Sequence, residues 1–573
     1  MDSQKLDSEL QLALSLPENV REESLELDVG YNAAEERWTL IVRYIGDIVS
    51  AAGAIAEITL LLGGYAIVRI REEEIEAFSA LPQVIYVEKP RQLQFAVRRG
   101  KISSCFLQVQ GAPYQLYGKG VLVGIVDSGI DFFHQDFRNP DGSTRLVELW
   151  DQTVPGMPPV GYKTGRLYTK EEINELLLEN NTEFRRSLDP DGHGTAVSGI
   201  VTGNGQENIE NRGAAWQSDI LFVKLGTPGE RSFPRTSELM TAVDYMVKTA
   251  ARRGQPIAVN ISFGNNYGSH NGDSILSSYL DIAADYGRNV ICIGTGNEGD
   301  MAHHASGIWE EGRLQVTELA VQTAQTAFNV QMFMQYEDQV VFALVHPDGQ
   351  QFAVIDGQPG TQKYRLGDTQ VYLYYGEPTP YSRRKELYLA FVPDHRYVDS
   401  GIWRLVADPR RIVTGQYDLW LPAGAEIQTG TAFLSPDPDR TFTEPSGTSR
   451  SIAVAAYDAS TLAYAPFSGR GFPGLPGDIQ PTLAAPGVNI TTTRAGGAYT
   501  MVTGTSFATP FVTGAAALLM EWGIIRGNDP YLYGQKVKSY LISGARPLPG
   551  ISIYPDRRVG YGALCIRNSF PRV

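Results

Sequence analysis

The sequence predicts an α/β protein built on a doubly wound parallel sheet, preceded by a small α+β unit and interrupted by an all-β insertion. Three observations point there. After Val121, short apolar runs that each end in small or polar residues (VLVGIVDSG, DILFVKLG, PIAVNISFG, NVICIGTGNEG) alternate with helical stretches, as expected of strands buried on both faces. In the first hundred residues, strand-like and helix-like segments alternate on a smaller scale. Between about Gly312 and Gly424 the helical segments stop and strand-like runs follow one another directly. These breaks divide the chain into 1–96, 97–311, 312–443 and 444–573, the second and fourth being two parts of one domain.

In the N-terminal unit, Trp38 to Tyr44 and Tyr65 to Ile70 alternate like strands, and Ile48 to Glu57 between them reads as a helix. Glu72 to Ala80 reads as a second helix, acidic at its start where the helix dipole favours negative charge, and Val84 to Val87 returns to strand. A linker, RQLQFAVRRGK, runs from Arg91 to Lys101. In the insertion, LQVTELAV, AFNVQMFM, QVVFALV, QFAVI, QVYLYY, KELYLAFV and YDLWLPA are separated by turn formers such as HPDG, DGQPG and GEPTP, which predicts a β-sandwich or jelly roll. After Pro445 the α/β rhythm resumes with SIAVAAYD.

Lys and Arg total 49 against 64 Asp and Glu, a formal charge of -15, with no dense basic cluster. Nucleic acid is therefore excluded as a partner, because phosphate contacts need concentrated positive charge. Cys105, Cys292 and Cys565 are odd in number and match neither a disulfide scaffold nor a zinc site, so free thiols in a reducing compartment are expected. The first twenty residues lack a basic segment followed by an apolar run, so cytoplasmic synthesis without a signal peptide is expected. The apolar stretch Ala51 to Val68 carries Glu57, Gly63 and Gly64 and does not read as a membrane span.

Serine hydrolysis needs a nucleophile, a base to take its proton and a carboxylate to hold the base in the right tautomer. GIVDSGID places Asp127 at the end of a buried strand, a weak signal alone, since strand-to-turn junctions often use such residues. DPDGHGTAVSGIVTG places His193 between two glycines at a helix start, which lets the backbone pass close to sheet and substrate. GTSFATPFVTGAAALLMEW places Ser506 at the N-terminus of an apolar helix with Pro510 in its first turns. Taken alone, Ser506 reads more readily as a capping residue, but the full string, with Gly504, Thr505, Ala508, Thr509 and Pro510 in place, makes that the poorer reading. IGTGNEG presents Asn297 at a strand end, where its amide is suited to an oxyanion, although a turn asparagine fits the same string.

Together, in this order, the four blocks resemble the subtilase family over about Gly120 to Glu310 and Glu444 to Gly550. The resemblance implies a serine endopeptidase: Asp127 orients His193, His193 is general base and then acid, Ser506 attacks the peptide carbonyl and Asn297 donates to the oxyanion. NISFG resembles the family's substrate-binding segment, so backbone groups of Ser262, Phe263 and Gly264 are expected to pair with an extended peptide. The N-terminal unit resembles the ferredoxin-like prodomain of subtilases, with self-processing expected among Gln94, Phe95, Ala96 and Val97.

Asp127 and His193 are 66 residues apart (193 minus 127) and His193 and Ser506 are 313 apart (506 minus 193), wide spacings caused by insertions. An unsecreted subtilase with such an insertion is similar to the Csp proteases of clostridial spores. That likeness implies packaging in the spore and limited proteolysis of a cortex-lytic hydrolase zymogen during germination. The partners implied are a protein substrate and the chain's own cleaved prodomain. A general intracellular subtilase and a silent regulatory pseudoprotease are the alternatives; the second would be expected to lack a triad member, and none is missing.

Other polar residues read as structural. His134 lacks glycine flanks, and His303 and His304 are neighbours ill-placed to share a metal, so surface turn positions are expected for the pair. Asp189 and Asp191 have no continuous oxygen-ligand loop around them, so no metal site is assigned, and no cofactor is implied.

Overall fold

Strand Leu122–Asp127 lies in the middle of a nine-stranded sheet, between Ile257–Ile261 and Asp219–Lys224. Outward on one side follow Asn289–Gly294, Ile452–Asp458 and Leu483–Pro486, and on the other Leu146–Asp151, all paired in parallel. Ala463–Tyr464 and Arg166–Thr169 add antiparallel edges. This computed structural model describes residues 5–6, 8–15, 31–32, 35–61, 64–89, 96–179, 181–226, 234–355, 357–424, 427–472 and 481–571. The chain divides into the compact units Met1–Gln94 and Phe95–Val573.

The sheet is doubly wound because its strands are apolar on both faces. Leu122 and Val126 face helices Thr236–Arg253 and Ile275–Ala284, while Val123 and Ile125 face helices His193–Thr202 and Thr505–Met520. The segment Thr505–Ile525 is long and apolar enough to cross a membrane, but 83% of its apolar window is buried within the protein, as befits a core helix.

In the first unit the four long strands are antiparallel, in the order Val84–Glu88, Arg37–Tyr44, Tyr65–Arg71, Ala56–Leu61. Helices Ile48–Ala52 and Ile75–Ser79 supply the two crossovers, giving the expected ferredoxin-like topology. The helix expected to reach Glu57 stops at Ala52, because Gly53 caps it and Ala56 already pairs with Ile70. Glu57 then ion-pairs with Arg37 and Arg69 of the same sheet, partners that no helical periodicity reveals.

The insertion forms two antiparallel sheets of six and five strands around one core that includes Phe342, Leu389, Phe391 and Trp403. It begins before the expected boundary at 312, since His304–Ile308 pairs along Gln416–Trp420. Strands Gly360–Leu366 and Gly401–Arg411 were not expected. In the second, Trp403, Leu405 and Ala407 point inward, but Arg404, Asp408, Arg410 and Arg411 dilute the apolar signal.

Two expectations are corrected. Cys105 and Cys565 are not free thiols but form a disulfide across 460 residues of sequence, a pairing that spacing cannot disclose. Cys292 alone is free, with its thiol pushed up to about 12 by burial, so the inference of a reducing compartment loses its premise. His303 and His304 are buried rather than in surface turns. His303 Nδ1 lies 2.7 Å from Glu298 Oε2, and His304 Nε2 lies 3.2 Å from Asp418. Burial acts to raise the Asp418 pKa, but His304, Arg384 and Arg440 outweigh it and hold the carboxyl well below the usual range. These side chains fasten the start of the insertion, its middle and its end to one buried charge.

Candidate active site

Asp127 is wholly buried at the carboxyl end of its strand, where open α/β sheets gather functional groups. The turn after it must be tight: at Gly129, φ +149°, an added Cβ would lie 1.9 Å from the Leu188 carbonyl oxygen. Asp127 Oδ1 accepts the Ser128 N–H at 2.8 Å and lies 2.7 Å from His193 Nδ1. The glycine after His193 permits this approach, since a Cβ at 194 would sit 2.1 Å from the Gly129 oxygen and 2.9 Å from Asp127 Cβ.

Asp189 accepts hydrogen bonds from Ser128 Oγ, Thr195 Oγ1 and the Thr195 N–H at 2.8, 2.6 and 2.8 Å, so it fastens the start of the histidine helix to the aspartate turn. Among the described residues no group of three or more His, Cys, Asp or Glu is arranged to hold a metal ion. Burial disfavours a charged His193 ring, yet Asp127, with Asp189 and Asp191 behind it, outweighs burial and raises the imidazole above the ordinary histidine value.

Ser506 stands in the first turn of helix Thr505–Met520. Pro510 has no N–H to donate to the Ser506 carbonyl one turn back, and that carbonyl instead accepts the Ser262 hydroxyl at 3.1 Å. Ser262 is held in turn by Asn260 Nδ2 at 2.9 Å, and Asn260 Oδ1 accepts from Thr513 Oγ1 at 3.0 Å. The Ser506 hydroxyl donates to the Ser262 carbonyl at 3.2 Å rather than to the imidazole. The His193 ring centroid lies 5.3 Å from the ring of Phe507, the residue after Ser506, and 6.0 Å from that of Phe263.

Asn297 is exposed at the end of the loop after strand Asn289–Gly294. Its Oδ1 accepts from the Thr505 N–H at 3.0 Å and from Thr505 Oγ1 at 3.2 Å, which clamps the amide to the serine helix. Nδ2 has no hydrogen bond among the described residues. Gly504, at φ +152°, takes a backbone conformation that L side chains rarely adopt, and a Cβ there would lie 3.4 Å from this nitrogen, an ordinary contact.

The structure thus gathers Asp127, His193, Ser506, Asn297 and the Ser262–Gly264 segment at one end of the sheet. Of the expected processing residues, Gln94 and Phe95 lie outside the described residues, and Ala96 and Val97 open helix Ala96–Ser103. Asn260 and Thr513 escaped the sequence reading. The available signal was an amide inside an otherwise apolar strand, IAVNI.

The Subtilase family model matches residues 118–335 and 433–562, which flank the β insertion and take in its first strands. The chain belongs to the subtilase family. A second family model, the Csp protease B prodomain, matches residues 4–91 of this subtilase's N-terminal unit. The structure of the Clostridium perfringens CspB protease is similar at 31% identity and a TM-score of 0.75, covering 82% of this subtilase and 96% of that chain. Among curated proteins, the PII-type proteinase of Lactococcus lactis subsp. cremoris is 23% identical over 518 residues, which is 80% of this chain and 26% of that protein. Subtilisin-like protease 4 of Trichophyton tonsurans is 29% identical over 161 residues, 28% of this chain and 29% of that protein. The chain therefore spans about a quarter of the length of the lactococcal proteinase it matches.

Proposed function

We propose that the chain is an active serine endopeptidase using Asp127, His193 and Ser506 as its triad and Asn297 as oxyanion donor. The 2.7 Å contact between Asp127 and His193 Nδ1 carries the reading, because it fixes the proton on Nδ1 and leaves Nε2 free to act as a base. A rotation about the Ser506 Cα–Cβ bond turns Oγ from the Ser262 carbonyl toward Nε2, a rearrangement of the kind expected between a resting and a substrate-bound enzyme. His193 then takes the hydroxyl proton as Oγ attacks the scissile carbonyl, and returns it to the departing amine. Water repeats the sequence on the acyl-enzyme. Meanwhile the Ser262–Gly264 edge pairs with the extended peptide. Diisopropyl fluorophosphate is expected to add one phosphoryl group to the peptide containing Ser506. Intact mass unchanged after treatment at neutral pH defeats the reading.

Asn297→Ala is expected to lower kcat by about 100- to 1,000-fold with KM little changed, since the amide acts on charge that develops only in the transition state. Steady-state kinetics on one peptide separates the two constants. Because the raised His193 value must be passed before the base is neutral, the acidic limb of kcat/KM is expected above about pH 6.5. Asp191→Asn removes one of the charges that favours imidazolium, so the limb moves to lower pH at low ionic strength and converges with wild type in high salt. A limb that stays in place contradicts the assignment.

The same proposal extends to self-processing within Gln94 to Val97 and, in the spore, to limited proteolysis of a cortex-lytic hydrolase zymogen during germination. The likeness to the CspB protease over both prodomain and protease supports it. Incubating the enzyme with such a purified zymogen is expected to yield one discrete cleavage. A silent regulatory subtilase is disfavoured by the intact Asp127–His193 contact.

A further inference from the structure

We infer that Thr443 closes the side-chain subsite next to the scissile bond, so that this enzyme cuts only after glycine, alanine or serine. The inference rests on the protease reading. A carbonyl held between Ser506 Oγ and Asn297 Nδ2, on a chain lying along Ser262–Gly264, directs its own side chain into the gap between two strand ends. One wall is the loop at Gly264 and the other the loop at Gly296.

Thr443 already occupies that gap. Its N–H donates to the Thr295 carbonyl at 3.0 Å, and the next residue, Glu444, exchanges two backbone hydrogen bonds with Asn265, at 2.8 and 3.1 Å. The segment is therefore stitched between the walls. A Cβ at Gly264 would lie 2.3 Å from Thr443 Oγ1, and one at Gly296 would lie 2.4 Å from Thr443 Cγ2. Both walls must be glycine for one threonine to fit, and its side chain spans the gap from one wall to the other.

The wedge is also held from behind. His270 Nδ1 donates to the carbonyl of Phe442, the residue before it. The buried His270 ring stacks on Trp420 of the β insertion, centroids 4.3 Å apart, and Trp420 Nε1 donates to the Arg440 carbonyl at 3.1 Å. On the other side the buried Glu444 carboxylate accepts the Ser277 hydroxyl at 2.8 Å. Thr443 therefore cannot swing aside without disturbing the insertion, which acquires a role in specificity. Within Gln94 to Val97, Ala96 is the small residue, so self-processing falls at the Ala96–Val97 bond.

Two tetrapeptides differing only in alanine or phenylalanine before the scissile bond test this on the full-length protein. Wild type is expected to favour alanine in kcat/KM by about 100-fold or more, and Thr443→Gly to shift the ratio at least about tenfold toward phenylalanine. Mass analysis is expected to show processed wild type beginning at Val97, with Ala96→Phe blocking the cut and Ala96→Gly permitting it. Equal cleavage of both peptides by wild type, or an unchanged ratio in a folded Thr443→Gly, overturns the inference. Should that variant fail to fold, the wild-type ratio, the mapped terminus and the milder Thr443→Ser, expected to shift the ratio in the same direction, decide. Labelling of Ser506 by diisopropyl fluorophosphate together with a preference for phenylalanine sinks this inference alone. No labelling and no cleavage sink the protease reading with it.

Discussion

Ser506→Ala is expected to leave a single full-length band on a gel, with peptide hydrolysis reduced about a million-fold. The magnitude follows from the triad acting as a unit: without the hydroxyl no acyl-enzyme forms, and only transition-state binding at Asn297 and the peptide edge persists. The fold should tolerate the change. Among the described residues Ser506 Oγ makes one hydrogen bond, to the Ser262 carbonyl, while the bond that ties the helix to Ser262 uses the Ser506 backbone carbonyl and survives. Gel and intact mass of wild type beside the variant read both effects at once. Self-cleavage persisting in the variant would assign the cut to another residue.

Asp127→Asn is expected to cost about 10,000-fold in kcat with little change in KM. The Ser128 N–H points at the oxygen that also faces His193, so an asparagine keeping its oxygen there loses only charge. With its NH2 turned to the ring it donates to Nδ1 instead, which moves the imidazole proton to Nε2 and leaves no base facing Ser506. The group is fully buried, so the unfolding midpoint must be measured in parallel; equal loss of stability and activity would indicate a structural role. At a pH high enough to deprotonate the attacking serine without a base, part of the lost rate should return, as it would not for a misfolded enzyme.

Much of the site was legible because the backbone leaves its demands in the sequence. Gly194 records the approach of one helix to the aspartate turn, Gly129 the turn itself and Gly504 the positive φ at which the chain enters the serine helix. Pro510 marks a carbonyl released from the helix ladder, although only the structure shows the Ser262 hydroxyl that takes it up. The parallel strands were equally plain, since burial on both faces forces unbroken apolar runs. Strand Gly401–Arg411 was obscured because one face is solvated, and its arginines mask the alternation of Trp403, Leu405 and Ala407.

The residues missed have something in common: their partners are remote in sequence and carry no local signature. His304 reads locally as half of an idle pair, but it meets Asp418, more than a hundred positions on, which Arg440 also holds. Cys105 had no visible mate until Cys565 was brought beside it. Thr443 is an ordinary threonine in FTEPSG until Gly264 and Gly296 flank it.

Sequence alone therefore determined the parallel-strand pattern and the family, and singled out the groups proposed to react, because each imposes requirements on neighbouring residues along the chain. Tertiary structure alone decided where the serine hydroxyl rests, which cysteines meet and which threonine stands between Gly264 and Gly296. Those depend on distances between segments that the chain does not encode locally, and only packing converts them into contacts.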